Sequence, residues 1–319
     1  MFDLAGKRIW VAGDGGMVGS ALVRRLAREE CEVLTAPRSL DLREQATTRD
    51  WLAQQRPHAV LVAAARVGGI AANAAHPARF LYDNLMIAAN VVEAAHRANV
   101  GRLVFLGSSC IYPREAAQPM AEEALLTGPL EPTNEAYAIA KIAGLKLCEA
   151  YAREYGRSYV SLMPTNLYGP GDNYDLATSH VLPALLRKAH EAKLAGGEAM
   201  TVWGSGAPLR EFLHVDDLAD ACVFALERFA GPGHLNVGSG EEASIADLAR
   251  AVAEVVGFDG RLEFDRTKPD GAPRKLMDSG RLAALGWRSS IGLREGLASA
   301  YGAMLEADNL REVRHDGGA

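Results

Sequence analysis

Short apolar runs alternate with amphipathic stretches through the first half of the chain. Continuous apolar runs are typical of strands covered on both faces, whereas apolar residues three and four positions apart indicate helices. The runs lie at 7–12, 31–36, 59–65, 103–106 and 159–163, and the main helical segments lie at 20–28, 84–98 and 133–153. This alternation predicts an α/β fold built on a doubly wound parallel sheet of the Rossmann type.

Glycine residues occupy the turn after the first apolar run. Gly13, Gly16 and Gly19 give the spacing G-x-x-G-x-x-G between a predicted strand and a predicted helix. Small residues let the backbone approach a pyrophosphate, and the helix N-terminus offers free amides and the positive end of its dipole. The strand–turn–helix context therefore predicts a dinucleotide site near the N-terminus.

The end of the second predicted strand bears on which dinucleotide is bound. An NAD enzyme usually has an acidic residue there, which accepts a hydrogen bond from the ribose 2′-hydroxyl. Here the strand runs into Arg38, and the first acid is Asp41. Because an arginine can pair with a 2′-phosphate, we favour NADP(H) over NAD, with a plain surface role for Arg38 as the alternative.

Tyr137 and Lys141 lie four positions apart in the helix predicted after Pro132. On a helix they share one face, so both polar ends can reach one ligand. A nearby ammonium lowers the pKa of a phenol from about 10, which favours acid–base chemistry near neutrality. Spacing alone favours a half-buried aromatic beside a surface charge, but Ser108 at the end of strand 103–106 strengthens the catalytic interpretation.

The pattern changes after Gly171, where regular strand–helix alternation ends. A helix is expected from 179 and a strand and turn at 200–206, and we expect an irregular tail from Gly260. No low-complexity linker separates the two parts. We assign 1–169 to an NADP-binding domain, with 211–240 returning to it, and 170–319, mainly 170–210 and 241–305, to a smaller mixed α/β substrate domain.

Composition and charge argue against several classes of protein. The net charge of −6 at pH 7 and the lack of a basic cluster argue against a nucleic-acid partner. The four cysteines lie far apart without CxxC spacing, which argues against a disulfide framework or a zinc site, so we expect no metal. With no signal-peptide pattern and no apolar run near about 20 residues, we expect a cytoplasmic protein without membrane spans.

Short sequence segments along most of the chain are similar to those of one known family. The matching segments are 16–20, 63–70, 107–113, 134–144, 163–170, 179–181, 203–206, 268–271 and 273–275. Together they resemble the GDP-L-fucose synthase family of the extended short-chain dehydrogenases/reductases. The resemblance runs from about Gly6 to about Leu305, and residues after about Glu306 lie outside it.

This resemblance implies a two-part reaction on GDP-4-keto-6-deoxy-D-mannose. The sugar is epimerised at C3 and C5, and NADPH then reduces the C4 ketone to give GDP-L-fucose. Cys110 and His180 are implied as base and acid in the epimerisation. Tyr137, tuned by Lys141, is implied to protonate the C4 oxygen, and Ser108 to hydrogen-bond it. Taken as single residues, Cys110 could instead be a small core residue and His180 only the start of a helix.

The resemblance also implies binding residues. Those for the cofactor are Gly13, Asp14, Gly15, Gly16, Met17, Val18, Gly19, Arg38, Ala64, Leu106, Gly107, Lys141, Pro164, Thr165, Asn166, Leu167 and His180. Those for the GDP-sugar are Asn166, Lys188, Trp203, Arg210 and Asp270. The chain departs from the family pattern at Gly15, where an arginine is common, and at Asp14. Both departures weaken the support for a 2′-phosphate and leave Arg38 to carry it.

Several alternatives stay open. An NAD-dependent nucleotide-sugar 4-epimerase or 4,6-dehydratase would use the same scaffold, although dehydratases place an acidic pair where this chain has Ser109 and Cys110. A non-catalytic NADP-binding redox sensor would not need a serine, a tyrosine and a lysine together. Apolar residues on more than one face of helices 84–98 and 137–153 are compatible with a homodimer or with burial in one subunit. The order of the epimerisations, and which of Cys110 and His180 serves each carbon, are not determined by the sequence.

Overall fold

The computed structural model describes residues 1–229 and 231–306, without the side chains of residues 70 and 71. Elements are numbered in chain order. The strands are β1 Arg8–Ala12, β2 Glu32–Leu34, β3 Ala59–Val62, β4 Arg102–Leu106, β5 Ser158–Pro164, β6 Asn166–Tyr168, β7 Ala199–Trp203, β8 Leu209–His214, β9 His234–Val237, β10 Glu242–Ser244, β11 Arg261–Asp265 and β12 Arg274–Lys275. The α-helices are α1 Met17–Leu26, α2 Gln45–Gln55, α3 Ile70–Ala75, α4 Pro77–Arg97, α5 Glu135–Tyr155, α6 Val181–Leu194, α7 Val215–Arg228, α8 Ile245–Val256, α9 Gly280–Ala284 and α10 Leu293–Glu306.

Six strands form one parallel sheet in the order β2-β1-β3-β4-β5-β9. The chain runs outward from β1 to β2 and then returns to β3 on the other side of β1. This reversal creates a topological switch point beside β1, where open α/β sheets bind ligands beyond the carboxyl ends of their strands. The doubly wound parallel sheet predicted from the sequence is confirmed.

The sheet is covered by helices on both faces. Along β1, Ile9 and Val11 contribute to one core cluster, which includes residues of α1 and α7. Trp10 and Ala12 contribute to the other, which includes residues of α2, α4 and α5. Successive side chains of a strand point to opposite faces, so a fully apolar β1 supplies both cores at once.

The second half forms a smaller group of elements around its own core. β8 pairs with β6, β10 and β12, and β7 pairs in parallel with β11. Apolar residues of α6, α8 and α10 pack together beside these strands. The prediction of an irregular tail from Gly260 was wrong, because β11, β12, α9 and α10 all lie there.

Residues 211–240 divide between the two groups. α7 packs against α1, and β9 is the sixth strand of the main sheet. Residues 211–214, however, belong to β8 and pair in the smaller sheet. The domain assignment from the sequence stays a prediction, with this segment crossing between the parts.

Some features can be stated for the described part of the chain. None of its helices is both long and apolar enough to cross a membrane. Within 1–229 and 231–306, no group of three or more His, Cys, Asp or Glu side chains could hold a metal ion. All four cysteines are free thiols, and three of them are buried.

Candidate active site

The predicted site residues follow strand ends at one edge of the main sheet. β1 ends at Ala12, β4 at Leu106 and β5 at Pro164, and the three strands run in parallel. The glycine turn, Ser108 and Asn166 therefore all lie at the carboxyl edge. Gly107 directly follows β4 at this edge. Only glycine fits there, because a Cβ would lie 2.2 Å from the Met163 sulfur.

The glycine turn is packed tightly on one side and open on the other. Gly13 has φ +93°, and a Cβ there would lie 2.6 Å from the backbone nitrogen of Ala64. A Cβ on Gly19 would lie 1.9 Å from the Gly13 carbonyl oxygen, so α1 can approach the turn only with glycine at this position. Gly15 faces open space, and no side chain caps α1 at Gly16. An uncapped helix N-terminus behind an accessible turn suits a pyrophosphate.

Arg38 and Asp41 both follow β2 but differ in their surroundings. Arg38 is exposed, and no partner for it occurs among the described residues. Asp41 accepts hydrogen bonds from the backbone and guanidinium of Arg43, which together hold the pKa of its carboxyl at about 2. The first acid after β2 is thus already paired, whereas the arginine is free to bind an anion.

Tyr137 and Lys141 share one face of α5, next to the end of β4. Lys141 is buried, and its ammonium donates a hydrogen bond of 2.7 Å to the Leu106 carbonyl oxygen. The same nitrogen lies 5.7 Å from the centre of the Tyr137 ring. The Tyr137 ring also packs edge-on against Phe80 of α4, with 6.4 Å between the ring centres. The pair is therefore held between two helices and the sheet.

The pKa of Tyr137 differs from the prediction. Burial raises it above the ordinary value, and the negative form of Cys110 would raise it further. Burial also lowers the pKa of Lys141 to about 8. The expected lowering of the phenol pKa was wrong for these residues, because desolvation dominates and the ammonium is hydrogen-bonded to a carbonyl.

Cys110 lies in a 3-10 turn, Ser109–Ile111, that follows β4. Ser108 caps this turn, because its hydroxyl oxygen accepts a 3.4 Å hydrogen bond from the Cys110 amide. Burial raises the pKa of the Cys110 thiol, whereas a hydrogen bond with Ser108 and the positive charges of Lys275 and Lys141 oppose that rise. The 3-10 turn packs against α5, the helix of Tyr137, since Ile111 shares a core cluster with Ile142 and Leu145.

Lys275 is a further charged residue near the Cys110 thiol, and its role was not predicted from the sequence. It lies on β12, opposite Arg210 of β8 in the parallel register. Burial lowers the pKa of its ammonium, and the Cys110 thiol and Glu131 favour its charged form. The only signal in the sequence was the matching segment 273–275, which gave no role to its lysine. Lys275 comes 165 positions after Cys110, so sequence spacing could not bring the two together, and it is the pairing of β12 with β8 that holds Lys275 in place.

His180 is at the N-cap of α6, at the end of a loop that approaches the same cleft. The Gly69 amide donates to the Thr178 carbonyl oxygen at 3.3 Å, and a Cβ on Gly68 would lie 3.1 Å from the Phe80 ring. Since Phe80 contacts Tyr137, these loops connect the start of α6 with the predicted catalytic tyrosine. Partial burial of the imidazole keeps the pKa of His180 below its usual value.

The segment after β5 is fixed by hydrogen bonds to β8. Asn166 donates from its side-chain amide to the Glu211 carbonyl oxygen at 2.8 Å, and the Thr165 hydroxyl donates to the same oxygen at 3.3 Å. Pro164 is buried and Leu167 is half-buried. These contacts attach the carboxyl end of β5 to the smaller sheet.

The remaining predicted substrate residues form a second cluster. Lys188 lies with its ammonium 4.8 Å from the centre of the exposed Trp203 ring. Asp270 accepts hydrogen bonds from the backbone and hydroxyl of Ser205, at 2.6 and 2.8 Å. Arg210 and Asp270 interact electrostatically. The four predicted positions are therefore close together, although Asp270 is already engaged in the turn.

Residues 9–238 match the NAD dependent epimerase/dehydratase family. The chain belongs to this family. It is 57% identical over 312 residues to the GDP-L-fucose synthase of Sinorhizobium fredii, covering 97% of this chain and 99% of that protein. It is 56% identical over 296 residues to GDP-L-fucose synthase 1 of Arabidopsis thaliana, covering 92% of each. The resemblance stated from the sequence is confirmed.

A solved structure supports the same assignment within the epimerase/dehydratase family. A GDP-L-fucose synthetase from Naegleria fowleri, bound to NADP, superposes with a TM-score of 0.87 at 27% identity, covering 96% of each chain. The family description and this neighbour together indicate a nicotinamide cofactor for the site. The site then divides into a cofactor edge with Ser108, Tyr137, Lys141 and Cys110, and a separate cationic cluster around Trp203.

Proposed function

We propose that the protein is a GDP-L-fucose synthase, which epimerises GDP-4-keto-6-deoxy-D-mannose at C3 and C5 and reduces it at C4. The observation that carries this proposal is that Cys110 lies two residues after Ser108, on a 3-10 turn that packs against α5, the helix of Tyr137 and Lys141. A reductase alone needs the phenol, the lysine and the serine. A thiol within the same cleft adds a group that can exchange protons at carbon.

The epimerisation uses the acidity that the C4 ketone confers on the protons at C3 and C5. Cys110 removes such a proton and His180 returns one from the other face, which inverts the centre through an enolate. The charges of Lys275 and Lys141 stabilise the thiolate that this step needs. His180 has a lowered pKa, so it transfers its proton readily once it is charged.

The reduction uses the protonated form of Tyr137. Its phenol donates a proton to the C4 oxygen, and the Ser108 hydroxyl hydrogen-bonds the same oxygen. Lys141 is charged at neutral pH, because its pKa of about 8 lies above 7. Its ammonium therefore stabilises the phenolate that remains after the proton has left.

NADPH fits the edge of the sheet where Gly13 to Gly19 and the uncapped N-terminus of α1 lie. When bound, it supplies the hydride for C4. The residues proposed to hold it include Ala64, Leu106, Gly107, Thr165 and Lys141. Selectivity for NADP over NAD is proposed to come from Arg38, which is exposed and unpaired, while Asp41 is occupied by Arg43.

The proposed role of Arg38 predicts a selective change in cofactor use. Arg38→Ala should raise KM for NADPH by about tenfold or more, because one charge-assisted contact to the 2′-phosphate is lost, and should hardly change KM for NADH. Arg28→Ala, in the exposed loop after α1, is the matched control. Equal effects on both cofactors would show that Arg38 does not bind the phosphate.

The product of the reaction tests the function as a whole. Incubation with GDP-4-keto-6-deoxy-D-mannose and NADPH should consume one NADPH per sugar and give GDP-L-fucose. A 4-epimerase or a 4,6-dehydratase would return its hydride and show no net consumption. A redox sensor would bind NADPH without turnover. Either result would reject the proposal.

A further inference from the structure

The exposed indole of Trp203 contacts a second ammonium that lies outside the predicted substrate residues. Lys268 has its Nζ 5.4 Å from the centre of the Trp203 ring, and Lys188 has its own 4.8 Å from the same centre. One lysine comes from α6 and the other from the loop between β11 and β12. The chain as a whole has a net charge of −6, yet two ammonium groups are held at one aromatic ring here.

The loop that carries Lys268 is held by its own hydrogen bonds. Asp265 accepts from the Thr267 amide and hydroxyl and, through its carbonyl oxygen, from the Lys268 amide at 3.2 Å. Asp270 then fastens the loop to the turn after β7, through its two hydrogen bonds with Ser205. The loop therefore presents Lys268 to the ring in a defined position.

The turn after β7 is shaped to receive this loop. Gly204 has φ +84°, and a Cβ there would lie 2.3 Å from a carboxylate oxygen of Asp270. Only glycine combines this backbone conformation with such a close approach. The sequence thus specifies a junction whose effect is to bring Asp270 to the turn and Lys268 to Trp203.

The charges around the ring favour a polyanion. Four cations, Lys188, Arg210, Arg266 and Lys268, lie near two carboxylates, Asp265 and Asp270, so the cluster keeps a net positive charge. Partial burial lowers the pKa of Arg210, and Asp270 opposes that shift. Ammonium groups at the ring also compete with a purine for the face of the indole. Trp203 therefore serves the lysines as a support and is a poorer platform for a base.

We propose that Lys268 binds the diphosphate of the nucleotide-sugar, with Trp203 holding it and Lys188 in place for that contact. This inference rests on the proposed function and adds a residue to it. On this proposal, the cluster distinguishes nucleotides by their number of phosphates, and stacking of the base on Trp203 contributes little to the affinity.

Calorimetric binding of GDP, GMP and guanosine tests the proposal in the absence of turnover. Lys268→Met should weaken GDP binding by about 10- to 100-fold, because a charge-assisted contact is lost, and should leave guanosine binding unchanged. Lys268→Arg should stay within about threefold of the wild type. Lys7→Met is the control, since Lys7 precedes β1 at the opposite edge of the sheet.

The possible outcomes separate this inference from the proposed function. Equal GDP affinity of wild type and Lys268→Met, with or without a lower Tm, overturns the inference alone and leaves Lys268 a structural residue. An equal loss for guanosine and GDP also overturns it, because the cluster would then act on the base. No GDP binding by the wild type overturns both.

Discussion

The phenol of Tyr137 is protonated at neutral pH, because burial raises its pKa above the ordinary value. A ketone that accepts hydride becomes an alkoxide, so the group next to it must give up a proton at that moment. A protonated phenol with a charged ammonium nearby meets this need better than a phenolate would. The raised pKa of Tyr137, which is opposite to the expected lowering, therefore favours its proposed role as an acid.

Replacement of Tyr137 by phenylalanine removes the proton donor and little else. We expect Tyr137→Phe to lower kcat for NADPH oxidation by about 10²- to 10⁴-fold, with the Kd for NADPH almost unchanged. Tyr155→Phe, at the exposed end of the same helix, is the matched control and should keep full activity. Retained turnover in Tyr137→Phe would remove the residue from its proposed role.

Cys110 can be tested separately from the reduction, because proton exchange at carbon needs no hydride. We expect Cys110→Ser to block entry of solvent deuterium at C3 and C5 of the sugar, since a serine hydroxyl is a much weaker acid than a thiol. Cys148→Ser is the control, because that thiol is buried on α5 and burial raises its pKa to about 12. Continued exchange in Cys110→Ser would contradict the epimerase mechanism.

At the scale of single residues, sequence spacing could identify only pairs that are close along the chain. Tyr137 and Lys141 were found in this way, one helical turn apart. Lys275 and Lys268 were missed, since β-strand pairing and a loop contact bring them to Cys110 and Trp203. The pKa of Tyr137 was predicted in the wrong direction, because the degree of burial depends on tertiary packing.

At the scale of elements, α5 is the helix that sets the geometry of the site. Gly144, the one glycine within it, lets the helix rest directly on β4, because a Cβ there would lie 2.4 Å from the Phe105 ring. The same ring lies 5.0 Å from the Lys141 ammonium. The close packing therefore buries the charge of Lys141. This burial lowers the stability of the folded chain, and the proposed function requires the charge at this place.

The burial of Lys141 predicts how stability depends on pH. Its pKa falls from 10.5 to about 8 on folding, so between these values the folded chain binds fewer protons than the unfolded chain, and stability rises with pH. Below about pH 8 the buried charge costs about 3 kcal/mol, less what the Leu106 hydrogen bond returns.

Lys141→Met should therefore be inactive in reduction yet more stable than the wild type by about 2 kcal/mol at pH 7. This gain should shrink towards about pH 10, and urea unfolding at both pH values measures it. Lys146→Met, which removes only a surface ion pair with Glu149 on the same helix, should show neither effect. A gain that does not depend on pH would show that the charge is not the cause.

Elements with a strong hydrophobic pattern were predictable from the sequence, whereas strands that depend on pairing with a distant strand were not. The apolar β1 and β4 and the long helix α5 were all expected near their observed bounds. β11 was missed, since its residues alternate between charged and apolar and only one face packs. β12 consists of two residues and is a strand only because β8 lies beside it.

At the scale of the whole molecule, α4 and α5 leave apolar side chains without cover. Tyr82 and Leu85 on α4 and Ile139 on α5 are exposed, with fractions of 60%, 38% and 44%. The two helices contact each other through the rings of Phe80 and Tyr137, so these exposed side chains lie on neighbouring elements. A two-fold axis beside it would pair the helices with their copies, so of the two alternatives left open by the sequence we predict the homodimer.

Disruption of this surface should convert the predicted dimer to a monomer. The wild type should have twice the chain mass of 34.1 kDa in light scattering, and Ile139→Asp combined with Tyr82→Asp should have the single mass. A buried unpaired carboxylate opposes association strongly, whereas Leu194→Asp at the end of α6, also exposed, should stay dimeric. Since α5 carries Tyr137, the monomer should also lose part of its activity through a less rigid helix. A wild type that is already monomeric, or a double variant that stays dimeric, would refute this interface.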